Sequence, residues 1–201
     1  MRAVHFSAMG ALLLAVPTAL YAQATDSAQA PIAALDQSLI GIMKAGKSAG
    51  MRGRSAAIAP VVDRVYDIPL MTRLAVGAPW TTFAPSDQAA LVTALRRLTI
   101  AQYASNFDGY AGQSFVVDPR VDVRATDRMV RTTLNDPKGE SVAIAYRLRQ
   151  AGGTWKIIDV FYKNSISQLA TRRADFARIV ASGGAKALVA HLNGLSAKVG
   201  G

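Results

Sequence analysis

The chain has 201 residues, with 23 Lys and Arg against 13 Asp and Glu and a formal net charge of +10. It contains no cysteine, which excludes a disulfide scaffold and a thiolate zinc site. Its length suits one domain with a full core. The basic residues are spread from Arg64 to Arg172 without interleaved aromatics or a recognition motif, so no nucleic-acid partner is expected.

The N-terminus reads as a cleavable signal peptide over residues 1–24. Arg2 supplies the positive start, Ala8 to Leu20 is an apolar run containing Pro17, and Ala22-Gln23-Ala24 has the small-x-small pattern of a cleavage site. The run falls short of the roughly 20 apolar residues that a membrane span needs. Cleavage after Ala24 would release an exported protein, and an exported fold without disulfides fits a bacterial periplasm. Residues 25–30 then read as a tether and residues 31–201 as one domain.

From Pro31 the apolar residues Ile32, Leu35, Leu39, Ile42 and Met43 fall at helical spacing. Ala45 to Ser55, rich in glycine, serine and positive charge, reads as a mobile basic loop. Helix resumes over Ala56 to Tyr66, and Ile68 to Ala75 reads as a short further turn. A longer helix is entered at Pro85, with Leu91, Leu95, Leu98, Tyr103 and Phe107 on its apolar face. After Gly109 the period becomes twofold. Val121 to Thr126, Val130 to Leu134, Val142 to Leu148 and Trp155 to Phe161 alternate as four antiparallel strands. Asn135 to Gly139 and Gly152-Gly153 supply the turns. In the last strand Trp155, Ile157, Asp159 and Phe161 are expected on one face. Ser165 or Ser167 caps a helix that Gly183-Gly184 ends, and Leu188 to Val199 form a final one. Helices, an antiparallel meander and further helices predict an α+β fold with the helices packed on one sheet face.

Catalytic groups are scarce. Glu140 is the only glutamate, and beyond the leader His191 is the only histidine. No residues stand at metal-ligand spacing, so neither a metal nor a cofactor is expected. Gly41 to Ser48 matches the phosphate-loop pattern, but helical periodicity precedes it and glycines follow, so it reads as coincidence. Asp159 is the one candidate base, through burial on an apolar strand face. The ordinary alternative is an ion pair with Arg172 or Arg173. The apolar sheet face and helix faces fit a filled core and a core opened into a lipid pocket alike.

Trp155-Lys156-Ile157-Ile158-Asp159-Val160, Ser165-Ile166-Ser167 and Leu169 to Phe176 resemble the Trp-Lys-Ile-x-Asp-Val … Ser … Arg-x-x-Phe signature of the MlaC-like, toluene-tolerance family of periplasmic lipid-binding proteins. The wording Ile-Ser-x-Leu-Ala-Thr-Arg-Arg is similar to the hopanoid-biosynthesis-associated branch, HpnM. Asn164 stands where the family usually has glycine, and asparagine tolerates a left-handed backbone next best.

The resemblance implies a monomeric, non-enzymatic carrier that shuttles a hopanoid or phospholipid between inner and outer membranes. Its expected partners are an inner-membrane transporter, an outer-membrane complex and, transiently, the membrane surface. The lipid-binding candidates are Val142, Ile144, Tyr146, Leu148, Trp155, Ile157 and Phe161 on the sheet, with Leu70, Leu74, Tyr103 and Phe107 on the helical wall. A one-residue slip in register would reverse the sheet assignment. The competing expectations are a small pocket enzyme of hydrolase or isomerase type using Asp159 and an envelope adaptor without ligand.

Overall fold

A computed structural model describes residues 28–200; the leader and its cleavage after Ala24 lie outside them. The first helix, α1, spans Gln29–Ala45, and its stripe of Ile32, Leu35, Leu39 and Ile42 is buried throughout. The expected tether reaches too far, because Ala28 and Gln29 are already buried and the Gln29 side-chain amide donates to the Asp118 carbonyl at 2.7 Å.

The basic segment is not a loop. A 3-10 turn at Lys47–Ala49 leads directly into α2, Gly50–Val65. Arg54 is the reason: its guanidinium is buried and donates to the Ala104 carbonyl at 2.7 Å and the Gly46 carbonyl at 2.8 Å. Tertiary bonds of this kind override the weak helix propensity of the surrounding glycines and serine. The phosphate-loop match falls on the end of α1 and this turn, so a helix and not a strand leads into it. The turn expected after Tyr66 is a nine-residue helix, α3, Ile68–Val76, started by Asp67, whose carboxylate accepts from the Leu70 N–H at 2.9 Å. The long helix α4, Pro85–Asn106, buries Leu91, Leu95 and Leu98 as its periodicity predicts.

Five strands form one antiparallel meander in the order β1 (Ser114–Arg124), β2 (Asp127–Asn135), β3 (Val142–Ala151), β4 (Thr154–Tyr162) and β5 (Ile166–Ser167). The fifth is a two-residue strand that alternation could not announce. Two register shifts shape the sheet, one in β1 between Val117 and Val121, where Pro119 sits, and one where Arg147 and Leu148 of β3 face Asp159 and Ile157 of β4. The last element, α5, runs Gln168–Gly200 but is broken at Gly183 and Gly184, the break that the glycine pair predicts. Ser167 caps it, its hydroxyl accepting from the Ala170 N–H at 2.9 Å. Lys163 and Asn164 both have positive φ, so the turn before β5 uses the left-handed tolerance of asparagine.

Helices α1, α2, α3 and α5 pack against the sheet, α4 packs on α2, α3 and α5, and the core between the layers joins Ile32, Leu35, Val62, Leu95, Tyr146, Leu148 and Ile157. Full burial of each such side chain contributes about 1.5–3 kcal/mol against the entropy of ordering the chain. The opposite sheet face carries paired charges. Asp127 bonds both Arg147 and Arg149, and Asp122 bonds Arg131. Burial alone would raise the Asp127 carboxyl, but hydrogen bonds from Arg149 and Arg147 outweigh it and hold it below the usual carboxylate range.

Candidate functional site

Strand pairing sorts the sheet residues into rows that face the helices. Phe115, Leu134 and Val142 form one row; Val117, Thr132, Ile144 and Tyr162 form the next; Val130, Tyr146 and Val160 form a third; Leu148 and Ile157 form a fourth. Burial grades along these rows. Val130, Tyr146, Leu148 and Ile157 are sealed in the core, whereas Phe115, Val142, Ile144 and Val160 are half-buried and Tyr162 is exposed. The layers are thus closed at one end and parted at the other. At the parted end α4 supplies Tyr103 and the residue that ends it, Phe107, and these continue an aromatic series Tyr66–Tyr103–Phe107–Phe115 with ring centroids 6.2, 6.0 and 6.4 Å apart.

A cavity of about 190 Å³ opens beside Tyr103 and Val160. Tyr66 and Met71 line it from the end of α2 and from α3, Thr99, Gln102 and Asn106 from α4, and Gln168 and Arg172 from the start of α5. The Tyr66 and Tyr103 hydroxyls hydrogen-bond to each other, and Arg172 donates to the Gln102 side-chain carbonyl at 3.3 Å. Tyr66 is held in place by its backbone: a bridge to Ile157, and the neighbouring Asp67 N–H donating to the Ile157 carbonyl at 2.9 Å. Burial pushes the Tyr103 phenol up to about 12 and raises Tyr66 and Tyr146 well above the ordinary value, so all three stay neutral. Behind them Asp36 of α1 meets Thr132 of β2, with 3.1 Å between the Thr132 hydroxyl and Oδ2, and its Oδ1 is buried without a hydrogen-bond partner among the described residues. Burial, only partly offset by the Thr132 bond, raises this carboxyl to about 7.

The expected site residues divide. Val142, Ile144, Tyr103 and Phe107 come together at the parted end. Tyr146, Leu148 and Ile157 face the helices as expected but are sealed. Trp155 lies at the far end in a groove of about 530 Å³ with Ala34 and Arg64, under the guanidinium of Arg128 at 4.9 Å. Leu70 packs against the core from α3, while Leu74 is half-buried outside it. Phe161 is on the wrong face. The extra residue in β4 sends Ile157 and Val160 inward together and turns Phe161 outward, into a groove with Met129, Arg131 and Arg147.

Asp159 is also displaced by that bulge. It is buried and carries no ion pair among the described residues: its carboxylate accepts from the Val160 and Leu169 N–H groups at 2.8 and 2.9 Å and from the Ser167 hydroxyl at 2.6 Å. Arg173 instead lies over Gly77. Asp159 therefore anchors the start of α5, and the three hydrogen bonds it accepts hold it in a structural role. Sequence reasoning missed Tyr66, Gln102, Gln168 and Arg172 as cavity residues and Asp36 as a buried acid. Asp36 had a signal, since it interrupts the buried stripe of α1 between Ile32 and Leu39.

Comparison with known proteins bears on this arrangement. The family described as MlaC protein matches residues 33–194. Among solved structures the chain is similar to the phospholipid-binding protein from Ralstonia solanacearum in complex with a phospholipid. The two are 25% identical, the match covers 86% of this chain and 98% of that one, and the TM-score is 0.72. No curated protein sequence matches.

Proposed function

The chain belongs to the MlaC family, and from that membership we propose that it is an exported carrier that holds one phospholipid between sheet and helices and shuttles it across the periplasm between inner and outer membranes. The observation that carries the proposal is the graded sheet face. Its sealed end gives a stable fold, and its parted end offers half-buried Phe107, Phe115, Val142 and Ile144 to an acyl chain. A fold neighbour that binds a phospholipid supports the same reading. Burying a methylene contributes about 0.8 kcal/mol, so a single acyl chain suffices for useful affinity without any catalytic group. The Asp159 carboxylate, bound by two N–H groups and a hydroxyl at the start of α5, speaks against a pocket enzyme built on that residue. Family members are periplasmic, which agrees with the leader read over residues 1–24. Docking to an inner-membrane transporter and an outer-membrane complex completes the proposed cycle.

The test is extraction of the purified protein followed by mass spectrometry, then exposure of the delipidated protein to vesicles containing phospholipid or hopanoid. A co-purified phospholipid and its uptake from vesicles are expected. A hopanoid as the sole ligand would move the chain to the hopanoid branch. Neither lipid bound would remove the carrier reading and leave the adaptor.

A further inference from the structure

Arg172 is a mostly buried cation in the cavity, and no carboxylate stands within ion-pair distance of it among the described residues. A guanidinium has five N–H donors, and one contact, the 3.3 Å bond to Gln102, is accounted for. Asp159 acts on it only through space, its own oxygens being taken by Ser167, Val160 and Leu169. Desolvation lowers the Arg172 guanidinium from its ordinary value and outweighs the opposing effects of Tyr66, Tyr103 and Asp159. Removing a cation from water is costly unless an anion meets it, and buried charges in folded proteins are normally paired.

The rest of the lining is rich in donors. Two tyrosine hydroxyls carry two protons, and the bond between them uses one, leaving the other for a third group. Both phenols remain neutral, so neither competes as an anion. Gln168 and Asn106 add amide N–H groups at the rim. What is missing is an acceptor with several oxygens and a negative charge.

We propose that the Arg172 cavity is an oxyanion subsite that takes a phosphate group, supplied by the phosphodiester of a glycerophospholipid or by free phosphate. In its lipid form this rests on the carrier reading and specifies the ligand class. Arginine meets phosphate through two parallel N–H···O bonds, a geometry that a lone amide cannot match. The placement fits a lipid, because Val160 and Tyr103 line both the cavity and the parted apolar rows. A phosphate at Arg172 thus directs acyl chains toward Ile144, Phe107 and Phe115. A neutral terpenoid with no phosphate leaves the guanidinium unpaired and is disfavoured.

The experiment compares phosphatidic acid with diacylglycerol of the same acyl chains on delipidated protein, in the wild type and Arg172→Gln. The expected result is at least about tenfold tighter binding of phosphatidic acid by the wild type, a ratio that Arg172→Gln brings close to unity and Arg172→Lys partly restores. Equal binding by the wild type, or a ratio that survives Arg172→Gln, overturns the subsite and leaves the carrier standing. If Arg172→Gln does not fold by circular dichroism, Tyr66→Phe carries the test, and an unchanged ratio overturns the proposal. If the wild type takes neither lipid, the carrier reading fails, and inorganic phosphate decides the subsite. A rise in Tm with phosphate that Arg172→Gln or Tyr66→Phe abolishes supports it; no rise overturns it.

Discussion

Asp36 places an ionisable group where the fold has little to stabilise its charge. The Thr132 hydroxyl lies 3.1 Å from both Asp36 Oδ2 and the Val116 carbonyl, yet it has one proton. If that proton goes to Val116, Asp36 must donate its own to Thr132, which is the neutral acid that burial favours. The native carboxyl holds its proton up to about 7, whereas the unfolded chain releases it near the ordinary value of 3.8. Folded stability therefore falls as pH rises between those values and levels off above them. The lowered carboxyls of Asp63, Asp122 and Asp127 act in the other direction and only below that window, their stabilisation being lost on acidification. Asp36→Asn should flatten the decline and leave the variant a few kcal/mol more stable than the wild type at pH 8. Urea midpoints at pH 4, 6 and 8 check this, and parallel pH profiles would count against it.

At the scale of elements, the two glycines that break α5 set where its second half packs. Gly184 has a φ of +63°, and a Cβ on Gly183 would sit 2.6 Å from the Ala187 Cβ. Gly183→Ala should cost about 1–3 kcal/mol, read as a lower Tm, because the backbone must shift to relieve the overlap. This break was legible in the sequence, as were α1, α4, β2 and β3, since each is written in local periodicity. The bulge in β4 was not. It exists only in the pairing of Ile157 and Asp159 with β3, so unbroken alternation placed Phe161 and Asp159 on the wrong face. The start of α2 was hidden for a similar reason, because Arg54 finds its acceptors on Gly46 and Ala104, the latter 50 residues away. Of the site, Tyr103 and Phe107 could be read from the α4 stripe. Tyr66 and Arg172 could not be joined to them, because no local pattern brings the end of α2 to the start of α5.

Taken as a whole, the molecule combines a sealed core with a cavity of about 190 Å³, below the roughly 300–1,000 Å³ usual for ligand pockets. Holding a phospholipid would require the α4–α5 wall to part further from the sheet, so lipid uptake should raise Tm by mass action as ligand is added. The net charge of +10 should also draw the protein to anionic surfaces. Co-sedimentation with vesicles rich in anionic phospholipid is expected at low ionic strength and largely lost near 0.5 M salt, where screening is short-ranged. Retention at high salt would point to apolar insertion instead.

The interruption at Pro119 has a bearing on polymerisation. As an outer strand of the meander, β1 exposes Val116 at 56% and Val123 at 66%, an invitation to add a strand from another copy. Proline removes one donor from that edge, and the register shift divides it into Ser114–Val117 and Val121–Arg124, each too short to hold a foreign strand. For the carrier proposed above, this interruption would keep one copy from zipping to the next. Pro119→Val should restore a continuous template, seen as concentration-dependent association in sedimentation velocity.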